Sequence, residues 1–128
     1  MTQAETDRLA QFTSDEINRA ENRLAAFTKK FGQTHRMLAY HAAFPIALTP
    51  DMLYQLWNNF RQDMRDNLLH IPWVAVTDLL LSDLCREVGS ELYQMDTVVR
   101  ELLLDELESH PAFGPDRLIT LARFLDDY

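Results

Sequence analysis

The stretch from Phe44 to Trp57, FPIALTPDMLYQLW, holds the sharpest punctuation in the chain. Pro45 stops a helix, because the residue before a proline avoids helical geometry. Ile46-Ala47-Leu48 then forms a short apolar link, extended or tightly turned. Thr49-Pro50-Asp51 restarts a helix with a hydroxyl cap, a proline in the first turn and an acid at the positive helix end. Leu53, Leu56, Trp57 and Phe60 follow at i, i+3, i+4 and i+7, one apolar face with Tyr54 on its flank.

Upstream, Thr34 to Ala43 reads as a helix with Met37, Tyr40, His41 and Phe44 roughly on one side. Before it, Thr13 and Glu16 have capping-box spacing, in which side chains satisfy the first free helix amides. Ile17, Ala20, Leu24, Phe27 and Phe31 share a stripe, Lys29 and Lys30 occupy the last turn, and Gly32 is a natural stop. The stripe is a packing face, too short for a coiled-coil seam. Residues 1–12 carry weak periodicity and read as a flexible lead-in, partly disordered, or as an early helical turn.

Downstream, Arg61 to Ile71 is polar and extends the preceding helix by a turn at most. Trp73 to Leu84 is apolar over more than half its circumference and is expected to be a helix buried on most sides, the centre of the core. Gly89-Ser90 fits a hairpin turn within residues 85–95, with a helix break at Gly89 as the competing reading. Asp96 caps a helix whose buried face is Val98, Val99, Leu102, Leu103 and Leu107, with Arg100, Glu101 and Glu108 opposite. Pro115-Asp116 opens a last helix with Leu118, Leu121, Ala122 and Leu125 on one side. That pattern runs to Tyr128, so the chain is expected to be one piece of a longer parent protein.

At 128 residues the chain is one domain by size. The expected division is the lead-in 1–12, then a single helical domain 13–128 with an N-terminal helix 13–31, a core 34–109 and a C-terminal helix 115–128. The net charge of −8 opposes non-specific binding to nucleic acid or an anionic bilayer. A lone cysteine, Cys85, excludes an internal disulfide and fits a reducing cytosol. There is no signal-peptide pattern and no apolar run near the ~20 residues a membrane span requires. The expected location is cytoplasmic.

Reactive constellations are not evident. His35 and His41 are separated by roughly 240° on a helix and cannot share a metal, and no Cys/His cluster has zinc spacing. Cys85 ends the most apolar helix and reads as an inert core thiol. The acids lack an EF-hand pattern, and Gly32, Gly89 and Gly114 form no phosphate cradle. No catalytic, cofactor-binding or metal-ligating residue is assigned and no cofactor is expected. The candidate contact residues are Tyr54, Tyr93, Asp78 and Asp83, each of which also fits plain packing or solubility.

The element order helix (34–43), helix (49–60), very apolar helix (73–84), hairpin (85–95), helix (96–108) resembles a winged-helix domain, a mainly α bundle of about five helices with one short β-hairpin. Leu38 to Phe44, then Pro45 and the helix bearing Leu56-Trp57, resembles the winged-helix segment of STAND-type signalling ATPases. Leu92 to Asp96 through Val99-Arg100 resembles its later part. Phe31 to Tyr128 also looks like a module of bacterial, largely cyanobacterial, multidomain signalling and conflict proteins, where it accompanies caspase-like, formylglycine-generating-enzyme-like or WD-repeat domains. The ATPases' nucleotide-binding loop is missing, so nucleotide hydrolysis does not carry over. The resemblance implies a non-enzymatic protein-interaction or regulatory module of a larger protein. Its partner would be another protein or neighbouring domains of the same chain, with homo-oligomerisation open and no membrane role. The alternative is an acidic winged helix binding DNA together with a partner domain. Thr34 to Arg100 carries five basic residues against eight acids, and the third helix has none, so nucleic acid is not expected.

Overall fold

The helices begin and end where local chemistry says they should. In this computed structural model, which describes residues 8–128, α1 runs Ser14–Phe31 behind a complete capping box. Glu16 N–H donates to Thr13 Oγ1 at 3.1 Å and Thr13 N–H donates to Glu16 Oε1 at 3.0 Å. Gly32 stops it at φ +101°, a conformation that a β-carbon strains, while its N–H donates to Thr28 O at 2.8 Å. Helix α2 (Gln33–Ala42) ends before Pro45, and α3 (Pro50–Asn59) starts behind Thr49, whose hydroxyl accepts from Met52 N–H at 3.0 Å.

The link between them is extended. Leu48 and Tyr93 exchange two backbone hydrogen bonds of 2.8 Å, so the link lies against the hairpin as a one-residue third strand. The hairpin itself, β1 (Cys85–Gly89) with β2 (Leu92–Met95), is antiparallel. Gly89 faces Leu92, so the two-residue loop is Ser90-Glu91 rather than Gly89-Ser90. Glu91 supplies the left-handed backbone at φ 54°, and an irregularity between Glu87 and Gly89 absorbs the extra residue.

Residues after α3 do not continue it. Phe60 leaves helical geometry, and Gln62 and Leu68 form an isolated bridge around a turn organised by Asp63. One Asp63 oxygen accepts from Asn67 N–H at 2.9 Å and Arg65 N–H at 2.8 Å, and these bonds, the Asn67 one foremost, with the Asn67 side chain hold this carboxyl below its usual range. Trp57 Nε1–H donates to the carbonyl of buried Ile71 at 2.8 Å and ties the loop back to α3.

The expected helix over Trp73–Leu84 is cut to α4 (Ala75–Leu80), six residues. Turns flank it on both sides, and Ser82 Oγ donates to Leu79 O at 2.7 Å just past its end. It is buried on one side only: Ala75, Val76, Leu79 and Leu80 face the core. The central helix is instead α5 (Thr97–Ser109), capped by Asp96 and packed against α1, α2 and α6 (Pro115–Asp127). Val99, Leu102, Leu103, Leu104 and Leu107 are buried in one core that also holds Leu24, Leu38, Leu53, Leu56 and Leu121.

Among the described residues there are six helices and the hairpin, the mainly α fold with one short β-hairpin that the sequence implies. Of the expected flexible lead-in, residues 1–7 lie outside the described residues. The rest is docked. Leu9 packs on the core, and Arg8 lies at 3.3, 2.5 and 3.1 Å from Glu101, Asp105 and Glu108. The acids expected opposite the buried face of α5 therefore face this segment. Arg100, likewise expected outside, donates to Phe44 O at 2.9 Å.

Candidate protein-docking face

The four sequence-derived contact candidates separate into two groups. Asp78 and Asp83 come together at one cleft between α1 and the end of α4; Tyr54 and Tyr93 do not line it. Tyr54 is exposed on α3 with its ring 5.5 Å from that of Trp57. Tyr93 is half-buried in β2 and committed by its backbone to Leu48. Asp78 is only partly available, since one oxygen lies 2.9 Å from Nε2 of buried His35, whose ring stacks on Phe31 at 5.1 Å. Asp83 is exposed; its carbonyl accepts from Arg23.

The feature that sequence reasoning missed lies beside those two acids, at both ends of α4. Trp73 is 65% exposed, Val74 43% and Leu81 74%. Val74 and Leu81 cap α4 in helical geometry and Trp73 sits in the turn before it; projected at about 100° per residue, these three and exposed Thr77 fall within a quarter to a third of a turn, away from the buried residues of α4. The sequence shows a helix apolar nearly all round. A helix this short, with a neighbour on one side only, leaves the other half of that apolar surface in water. The signal was present as an excess of apolar residues, read as evidence of burial. Contiguous exposed aromatic and aliphatic side chains mark interaction sites in folded proteins. The face carries no lysine or arginine.

The same segment borders a cleft of about 550 Å³. Phe27 and Phe31 of α1 line one side, and Asp78, Leu81, Ser82 and Asp83 the other. Lys30 is also on the wall, with its ammonium 5.1 Å from the Phe31 ring centroid.

A second polar cluster is closed to solvent. His41, 1% exposed, lies 2.7 Å through Nδ1 from Met37 O, and Arg117 Nε–H donates to its Nε2 at 3.0 Å. Those two bonds fix a neutral ring with its proton on Nδ1. Burial, reinforced by the neighbouring guanidinium and opposed by the Met37 bond, pushes its pKa down to about 3. The Arg117 guanidinium lies 5.0 Å from both the Phe60 and Phe113 ring centroids and also donates to Gln62 O. Arg117 joins α6 to α2 and to the loop after α3. With both ring nitrogens engaged and no access to solvent, His41 serves packing and not proton transfer to a ligand.

Cys85 is half-buried, and burial raises its thiol to about 12, against a smaller opposite pull from Arg23. Among the described residues no group of three or more His, Cys, Asp or Glu is arranged to hold a metal ion. No helix among them is long and apolar enough to cross a membrane. Compared with known proteins, the chain matches no family model, no curated protein and no solved structure.

Proposed function

We propose that this chain is a protein-interaction module, regulatory within a larger cytoplasmic signalling protein, whose contact surface is the outer face of α4. The observation that carries the reading is the exposure of Trp73 and Leu81, 65% and 74%, beside Val74 on one face. Burying each of these side chains against a partner is worth about 2 kcal/mol, enough for a few such residues to anchor a complex. The winged-helix-like reading is supported by the order α2, extended link, α3, α4, hairpin, with Leu48 paired to Tyr93. In that arrangement α4 is the helix that DNA-binding relatives of the fold would present to a groove. Here its outer face is apolar and acid-flanked, which favours a protein over a phosphate backbone.

The test is affinity capture from the native cell with identification of the retained protein, repeated with the double variant Trp73→Ala/Leu81→Ala. The identified partner should be retained by the wild type and lost by the variant, while the two unfold alike in urea. Undiminished capture would remove α4 from the interface. A mobility shift of duplex DNA at low salt would transfer the reading to the DNA-binding alternative.

A further inference from the structure

The apolar face of α4 ends in a cleft whose own charges are negative on the α4 side. From Pro72 to Glu91 the chain carries Asp78, Asp83, Glu87 and Glu91 against Arg86 alone. Of the two nearby bases on α1, Lys30 stands on the opposite wall of the cleft and Arg23 is engaged elsewhere. Lys30 lies over Phe31, and Arg23 is held 3.4 Å from Asp96 and on the Asp83 carbonyl. The Asp83 carboxylate makes no ion pair among the described residues, and Asp78 meets only His35.

Resting on the α4 reading, we propose that the partner seated on this face is a basic amphipathic helix from another polypeptide. Its apolar residues would cover Trp73, Val74 and Leu81, and a lysine or arginine would enter the cleft between Asp78 and Asp83. Charge decides among occupants. A second copy of this chain would bring another −8 and the same acids to the contact, so a homodimer through this face sets like charges against each other. DNA meets the same repulsion. A basic helix presenting apolar residues at i, i+3, i+4 and i+7 matches both the unpartnered apolar stripe and its acidic border. The cleft, about 550 Å³, has room for one long basic side chain whose methylenes run along Phe27, Phe31 and Leu81.

The experiment uses two synthetic helical peptides of roughly 18 residues, five turns, with the same leucine face, one with a lysine-rich and one with a glutamate-rich opposite face. Binding to the whole chain is followed by titration calorimetry and by amide shifts in NMR. The lysine peptide should bind, shift residues 73–83, and lose about tenfold in affinity to Asp78→Asn/Asp83→Asn. Asp126→Asn/Asp127→Asn, which changes net charge equally at exposed sites in the last turn of α6, should leave its affinity within about twofold. Equal binding of the two peptides would overturn the basic partner while leaving the α4 face as the docking surface. Equal weakening by both double variants would show only general attraction and overturn the cleft. Shifts outside residues 73–83, indifferent to Leu81→Ala, would overturn the α4 reading as well. A dimer in sedimentation that Trp73→Ala dissolves would give the face to a second copy instead.

Discussion

Acidification between pH 6.5 and pH 5 should destabilise this protein through a single buried ring. His41 is neutral in the folded chain, with Nδ1–H on Met37 O and Nε2 accepting from Arg117. A protonated ring would direct a second N–H at the Arg117 donor and put two cations side by side out of water. The folded pKa is accordingly about 3, against 6.5 for an exposed histidine. As pH falls through 6.5 the unfolded chain takes up a proton at His41 and the folded chain does not, so unfolding is favoured. This contribution is complete above 6.5 and is lost progressively down to about 3. Each pH unit in that window costs about 1.4 kcal/mol, so the fall from 6.5 to 5 costs about 2 kcal/mol from His41 alone. Stability is read from urea unfolding by circular dichroism at the two pH values, in wild type and in His41→Gln. The variant is less stable at neutral pH, but its slope with pH should be shallower by about 2 kcal/mol over the window. Parallel slopes within ~0.5 kcal/mol would refute the neutral buried ring and with it the Arg117 geometry.

Three further outcomes follow from the packing. Arg117→Ala leaves His41 Nε2 and Gln62 O without their donor and opens a void between Phe60 and Phe113; a loss of about 3 kcal/mol is expected in urea unfolding. Leu79→Ala, at a fully buried site, should cost about 2–5 kcal/mol, whereas Leu81→Ala two residues on should change stability by less than about 0.5 kcal/mol. Cys85, its thiol raised to about 12, should react with iodoacetamide at pH 8 far more slowly than an exposed cysteine, and unfolding in denaturant should accelerate the labelling.

Much of the helical framework was legible because its determinants act within one turn. Thr13 and Glu16 satisfy each other's amides three residues apart, Thr49 caps Met52, and Gly32 provides the backbone angle that ends α1. Nothing distant is needed for those bonds, so spacing alone reveals them. The hairpin was legible from Gly89-Ser90, but its loop settled one residue later, where Glu91 takes the left-handed angle. The candidate site was half legible. Asp78 and Asp83, named as contact candidates from the sequence, share a cleft. Trp73, Val74 and Leu81 belong to a stretch expected to be a helix buried on most sides, because an apolar side chain in a sequence carries no mark of whether another element arrives to cover it.

The stretch from Phe44 to Trp57 divides the two kinds of information. Its sequence by itself determined a stop at Pro45, a link and a restart at Thr49-Pro50, all short-range consequences of a missing N–H, a fixed φ and a capping hydroxyl. Only the tertiary structure decided that Leu48 would pair with Tyr93 and that His41 would accept a hydrogen bond from Arg117, 76 residues away. It also decided that Arg8 would meet α5 and that α4 would keep one apolar face in water. Those outcomes depend on which surfaces meet when the helices pack. Packing is a property of the whole set of faces at once, not of any window along the chain.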